Sequence, residues 1–277
     1  MDNLSFTKMH GAGNDFVVVD NREETYPKGK LIALTPKLCH RRYGIGADGL
    51  LLLMPPSSSK TDYTMLYRNA DGSDAGMCGN GARCLALYAA VKADMGQQLR
   101  FQVHDAFYEE SVKPRQQYVT VSFPMQVEVK EIEMEGEPRL YQTYPGTEHI
   151  TQKVTPQDFE RDDMLIRRGR NLRHHKEFSP AGTNVNFIYG DTSNAINIKT
   201  YERGVEDLTL ACGTGAIASA ITWHHIQQQK DTTSPIAVHA EGGTLDVQFN
   251  YDGQNNCYNF IKLGGKATIV FNGSYAI

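Results

Sequence analysis

The chain has 277 residues, 40% hydrophobic and 22% charged, with Lys plus Arg 28 against Asp plus Glu 32 for a net charge of −4. This length favours two domains of similar size, and the composition excludes disordered, collagen-like and small disulfide-stapled chains. The slightly acidic balance argues against a general nucleic-acid or anionic-membrane surface.

The N-terminus, Met1-Asp2-Asn3-Leu4, lacks the basic and apolar regions of a secretory signal. The longest aliphatic run, residues 50–54, falls far short of the roughly 20 residues needed to span a bilayer. A cytoplasmic protein is expected, and five cysteines without framework spacing fit a reducing compartment. Segments rich in β-branched and aromatic residues predict strands at 16–20, 50–54, 63–67, 118–123, 196–201, 236–239, 244–249, 258–263 and 268–271.

Between residues 82 and 91 only Arg83 is charged, and between 216 and 223 nothing is. Helices apolar all round are buried ones. The first is expected to end at Gly96, a C-cap signal, and the second to dissolve into the polar run at 227–230. Residues 128–173, with acidic residues at 131–137 and a basic cluster at 167–170, read as loops leading into the second half, their charges forming solvated faces.

Each charge-poor helix follows the same motif. Tyr67 to Ala82 and Tyr201 to Ala216 align without a gap, and Cys78-Gly-Asn-Gly-Ala lies 134 residues before Cys212-Gly-Thr-Gly-Ala, close to half the chain. An internal repeat at that period means two homologous lobes. An α+β fold is expected, each pseudo-symmetric lobe a curved sheet or barrel wrapped around its own central buried helix.

In Cys-Gly-x-Gly leading into a helix, glycines let the backbone turn tightly and leave N–H groups open to an anion. A helix N-terminus also favours thiolate, lowering a cysteine pKa from about 8.5 toward roughly 3.5–7.5. Packing does not require both halves to keep the motif, whereas a reaction using two thiols does. Stereochemical inversion needs a base on one face of a carbon and an acid on the other, since one base returning its proton regenerates the starting isomer. Zinc is disfavoured: Cys84 lies within the first motif, but Ala218 takes its place in the second. Cys39, Cys84 and Cys257 read as packing residues.

Several blocks together resemble the diaminopimelate epimerase family. They are His10-Gly-Ala-Gly-Asn-Asp-Phe16, Gly44-Ile-Gly-Ala-Asp48, Asn69-Ala-Asp-Gly-Ser73, Met77-Cys-Gly-Asn-Gly-Ala-Arg-Cys84, Gly182-Thr-Asn-Val-Asn-Phe187, Glu202-Arg-Gly204 and Ala211-Cys-Gly-Thr-Gly-Ala216. The resemblance implies a cofactor-independent epimerase, using no metal, that interconverts LL- and meso-2,6-diaminoheptanedioate on the route to lysine and peptidoglycan. It implies an N-terminal lobe of residues 1–122, with 266–277 returning to it, and a C-terminal lobe of 123–265. Cys78 and Cys212 become the acid–base pair, and the amides of Gly79, Asn80, Gly213 and Thr214 hold the reacting carboxylate. Asn14, Asn69, Asn184, Glu202 and Arg203 contact the rest of the substrate, Arg203 suiting the distal carboxylate through its planar fork. His149 and Glu202 tune the thiols, and a homodimer is implied.

The chain departs from the family pattern at Gly146-Thr147-Glu148-His149, where the family has Gly-Asn-Pro-His or Gly-Ser-Pro-His. It departs again at Gly49, where some members have Gln, and at His104-Asp105-Ala106-Phe107. Competing readings are a proline or hydroxyproline racemase or an isomerase of the same fold, a redox protein using a Cys78–Cys212 disulfide, an amino-acid-binding module and a pyridoxal enzyme. The racemases lack the Asn-Gly-Ala-Arg continuation and the Glu-Arg-Gly block, and no lysine here sits in a recognisable Schiff-base context.

Overall fold

The computed structural model describes residues 3–227 and 235–277. Met1 and Asp2 of the N-terminal segment, and residues 228–230 of the polar run expected to end the second helix, lie outside the described residues. The fold is mixed α+β, and the chain forms two compact units, Met1–Ser122 with Gly264–Ile277 and Phe123–Leu263.

In the first unit β1 (Asn3–Gly11) and β2 (Asn14–Asp20) form an antiparallel hairpin. Helix α1 (Lys28–Cys39) leads to β3 (Gly49–Met54), parallel to β2, and β4 (Tyr63–Asn69) is antiparallel to β3. Helix α2 (Gly79–Val91) then carries the chain to β5 (Gln98–Val103), which lies parallel to β4. β6 (Ala106–Lys113) and β7 (Tyr118–Phe123) continue antiparallel, and the strand Thr268–Ala276 returns to pair with β1.

The leucines at 50, 51, 52 and 53 are all fully buried because β3 is covered on both faces. Leu50 and Leu52 join a cluster with Leu31 and Leu38 of α1, whereas Leu51 meets α2, where a Cβ on Gly81 would lie 3.1 Å from its Cδ2. Strands buried on both faces read as continuous apolar runs rather than alternating ones. Helix α2 is buried along nearly its whole length, as its lack of charge requires. It stops at Val91, short of the expected Gly96, because Asp94 turns left-handed at φ 51° and the Met95 N–H closes on the Ala89 carbonyl at 3.0 Å.

The second unit holds β8 (Val127–Glu128), β9 (Lys130–Ile132), β10 (Leu140–Thr143), β11 (His149–Lys153), α3 (Pro156–Phe159) and α4 (Asp162–Arg173). There follow β12 (Asn184–Thr192), β13 (Ala195–Tyr201), β14 (Leu208–Thr209), α5 (Gly213–Gln227), β15 (Ile236–Ala240), β16 (Gly243–Asp252) and β17 (Cys257–Lys266), whose residues from Gly264 onward belong to the first unit. Strand β10 is antiparallel to β11, β11 parallel to β12, and β12 antiparallel to β13. After α5, β13 lies parallel to β15 and β15 antiparallel to β16. The same succession of pairings runs through β1, β2, β3, β4, α2, β5 and β6 in the first unit, so the repeat in the sequence is a repeat of topology.

Residues 128–173 are not loops, as expected from their charge, but four strand segments and two helices. Helix α4 buries only a narrow stripe, Leu165, Gly169 and Leu172, so its apolar period is hidden among charges. Asp162 and Asp163 in its first turn and Arg170 and Arg173 in its last complement the helix dipole. Arg167 is solvated, but Arg168 grips Glu137 at 2.5 Å, so the charge runs are partly internal. Helix α4 approaches β13 so closely that a Cβ on Gly169 would sit 2.6 Å from that of Tyr201. Strands β1, β5, β6 and β12 and helix α1 also lie outside the sequence-predicted elements.

Candidate active site

The two cysteine motifs fold alike. Cys78 is the N-cap of α2: its carbonyl accepts from the Ala82 N–H at 2.8 Å and its sulfur from the Gly81 N–H at 3.4 Å. Cys212 does the same for α5, its carbonyl taking the Ala216 N–H at 2.9 Å and its sulfur the Gly215 N–H at 3.4 Å. The amides of Gly79 and Asn80, and of Gly213 and Thr214, therefore belong to the first helical turn, at the helix end that favours an anion. Both cysteines are half-buried, whereas Cys39, Cys84 and Cys257 are buried. Burial pushes the Cys39 thiol up to about 11 and that of Cys84 higher still.

In the first unit the β1–β2 turn lies against α2, where a Cβ on Gly11 would stand 2.9 Å from the Asn80 carbonyl. This brings Asn14 to the motif. Its Nδ2 donates to Asp48 at 2.8 Å, which turns Oδ1 toward the Cys78 sulfur at 3.8 Å and lets it accept from the Asn80 side-chain Nδ2 at 3.5 Å. Asp48 is itself held by Arg41 at 2.6 Å, and Arg41 also binds Asp15. Burial opposes ionisation of Asp15, but hydrogen bonds from Arg41 and Lys8 hold its carboxyl well below the usual range. Arg83 is fully buried and donates to the Gly79 carbonyl at 3.1 Å and Asn80 Oδ1 at 2.6 Å, bracing the motif turn. Its Nε has no partner, and burial pulls its pKa below the ordinary arginine value. Asn69 closes a surface turn, its side chain donating to Ser73 at 3.0 Å.

In the second unit His149 opens β11 and is completely buried, which pushes its pKa down to about 3 and leaves the imidazole neutral. Its Nε2 lies 3.0 Å from Thr214 Oγ1, which in turn lies 3.5 Å from the Cys212 sulfur. Asn184, on β12, donates through Nδ2 to Thr147 Oγ1 at 2.8 Å and the Glu148 carbonyl at 2.9 Å, and accepts the Arg203 N–H at 2.9 Å. Arg203 is one-third exposed and pairs with Glu148 at 3.6 Å. Glu202 precedes it, its carboxyl pushed up by burial. Asn184 therefore splints Arg203 and the 147–148 loop, with Thr147 serving as an acceptor.

Three residues that matter here have no role assigned by the sequence. Asp48, Arg83 and Asn186 all lie inside the motifs that carry the family resemblance, and a lone charge in an apolar helix was the available signal for Arg83. Asn186 shares a face of β12 with Asn184, and the alternation Asn184-Val-Asn186-Phe187 was its signal: Val185 and Phe187 enter the core under α4, leaving both amides for the other face. Among the described residues no helix is long and apolar enough to cross a membrane, and no three His, Cys, Asp or Glu side chains gather as a metal site.

Comparison with known proteins bears on this geometry. The family model described as diaminopimelate epimerase matches residues 6–122 and 142–270. The chain is 36% identical to the diaminopimelate epimerase of Flavobacterium psychrophilum, covering 97% of this chain and 98% of that one. It is 37% identical to that of Chlorobaculum tepidum, over 97% and 100%. Among solved structures it resembles a Bacillus anthracis phenazine biosynthesis protein of the PhzF family, with TM-score 0.77 and 13% identity over all of both chains. It also resembles a hydroxyproline epimerase from Agrobacterium vitis, with TM-score 0.68 and 16% identity over 99% of this chain and 93% of that one. At those identities the two structures speak for the fold, and the sequence relatives for the family: the chain belongs to the diaminopimelate epimerase family, a family of isomerases.

Proposed function

We propose that the protein is a cofactor-independent epimerase interconverting LL- and meso-2,6-diaminoheptanedioate through two thiols. One cysteine, as thiolate, takes the α-proton and becomes a thiol. The other, as thiol, gives its proton to the opposite face of the carbanion and becomes a thiolate. Cys78 and Cys212 are those groups, one from each lobe (1–122 with 266–277, and 123–265). The observation that carries the reading is the duplicated cap, in which each sulfur sits beside first-turn amides. Those of Gly79, Asn80, Gly213 and Thr214 hold the reacting carboxylate and oppose the charge that grows on it as the proton leaves. Arg203 takes the distal carboxylate, with Asn14, Asn69, Asn184 and Glu202 bounding the substrate, and neutral His149 and Glu202 tune the thiols. The reading extends to a cytoplasmic homodimer serving lysine and peptidoglycan precursor synthesis.

Proton NMR of LL-diaminopimelate in deuterated buffer, with enzyme and no added cofactor, tests substrate and reaction together. The α-proton signal should vanish as meso isomer accumulates, and Cys78→Ala and Cys212→Ala should each abolish inversion while keeping the fold. Inversion at near the parent rate by either single variant would sink the two-thiol mechanism.

A further inference from the structure

The surroundings of Cys212 hold a chain of hydrogen bonds whose polarity follows from the orientation of the Asn186 amide. Asn186 Oδ1 accepts from Thr200 Oγ1 at 2.9 Å, and its Nδ2 lies 3.2 Å from Thr151 Oγ1 and 3.1 Å from His149 Nδ1. With the amide nitrogen against it, Nδ1 must accept, so the proton of the neutral imidazole sits on Nε2. Nε2 faces Thr214 Oγ1 at 3.0 Å. Asn184 Nδ2, 3.5 Å from the same nitrogen, does not compete, because both its protons are committed to Thr147 and Glu148. The Nε2–H therefore occupies a lone pair of Thr214 Oγ1 and leaves the hydroxyl proton for the sulfur 3.5 Å away. The Gly215 N–H reaches the same sulfur.

We propose that Asn186, acting through His149, fixes Thr214 as a hydroxyl donor to Cys212 and so favours the thiolate of that cysteine. The inference rests on the reading of Cys212 as an acid–base group and adds Asn186 as a positioning residue and the Thr214 hydroxyl as the contact. Burial of His149 supports it, since an imidazole held neutral keeps one defined tautomer. The charged group felt by His149 is Arg203, which disfavours its protonation and pairs with Glu148, while Glu202, next to Arg203 in the sequence, is held by burial toward its neutral form. Among the other titratable side chains on strands packed against α5, Lys153 lies over the Trp223 ring, Lys199 binds Asp162, His239 meets Thr244 and Asp252 accepts from the Asn255 side chain.

The test reads Cys212 itself. In a Cys78→Ala background, the pH dependence of iodoacetamide labelling at Cys212, followed by mass spectrometry, gives the midpoint of its ionisation. Thr214→Val should raise that midpoint by about one to two pH units, the effect of removing one hydrogen bond to a charged group, and Thr214→Ser should leave it near the parent. Asn186→Asp should raise it too, because a carboxylate accepts from Nδ1–H, moves the lone pair to Nε2 and draws the Thr214 proton toward the ring. Asn186→Asp combined with Thr214→Val should shift it no further than Thr214→Val alone, whereas simple charge repulsion would add. A parent-like midpoint in Thr214→Val, or additive shifts in the double variant, would overturn the relay. If Asn186→Asp does not fold, by circular dichroism, the Thr214 pair still decides. Labelling needs no substrate, so its outcome is separate from that of the epimerisation assay.

Discussion

Replacing Arg203 with Met separates binding from folding, because the structure gives the two effects different sizes. Among the described residues the guanidinium has one ionic partner, Glu148, at 3.6 Å, and both side chains are about one-third or more exposed. Exposed pairs of that kind contribute about 0–1 kcal/mol, equivalent to at most about 2–4 °C of melting temperature for a chain of this size. The contact that orders the backbone, from the Arg203 N–H to Asn184 Oδ1 at 2.9 Å, survives in the variant because Met has the same amide. The substrate term is larger. A charge-assisted contact to a carboxylate is worth about 1.5–3 kcal/mol, so kcat/KM for diaminopimelate should fall by about 10- to 150-fold. The assay is α-proton exchange in deuterated buffer with diaminopimelate, lysine and proline side by side. Lysine, without the distal carboxylate, should be a very poor substrate for the parent and no worse for the variant. A loss below about threefold on diaminopimelate, or an equal proportional loss on lysine, would refute the assignment, and proline exchanging as fast as diaminopimelate would move the protein to the racemase branch.

Iodoacetamide near pH 8 should label Cys78 and Cys212 well before Cys39 and Cys84, whose thiols are buried and pushed up; first labelling of Cys84 in the native protein would contradict the burial pattern. Gly49→Gln should destabilise by about 1–3 kcal/mol in urea unfolding, because its Cβ would lie 2.5 Å from the Arg68 carbonyl in the neighbouring strand; unchanged stability would show that β4 yields there. His149 binds its proton at about 3 when folded against 6.5 in its ordinary state, so the unfolded chain protonates first. The stability it confers is complete above pH 6.5 and lost as pH falls toward 3. Glu110, held protonated by burial, slopes the other way above about 4.5, so the useful quantity is the parent measured against His149→Gln. Between pH 6 and 4 the parent should lose stability relative to that variant by up to about 1.4 kcal/mol per pH unit, and a constant difference across the range would contradict a buried neutral imidazole.

What the chain determines by itself is local. Cys-Gly-x-Gly before a charge-poor segment specifies a capped, buried helix, since glycines and a helix without a polar face permit little else, and the gap-free second copy makes it a repeated unit. The continuous leucines at 50–53 likewise announce a strand covered on both faces. Helix α4 was hidden because three buried residues among arginines and aspartates leave almost no apolar period to read. What only the tertiary structure decided is which polar groups meet. His149, Asn186 and Thr214 come from β11, β12 and α5, far apart in sequence, and their donor and acceptor roles follow from the way the Asn186 amide is turned between Thr200, Thr151 and His149. Asn14 owes its orientation to Asp48, and Asn184 spends its amide on Thr147, Glu148 and Arg203. A residue's type fixes what it can donate or accept, but in a buried site its neighbours across the sheet choose among those options, and that choice is made only once the strands have paired.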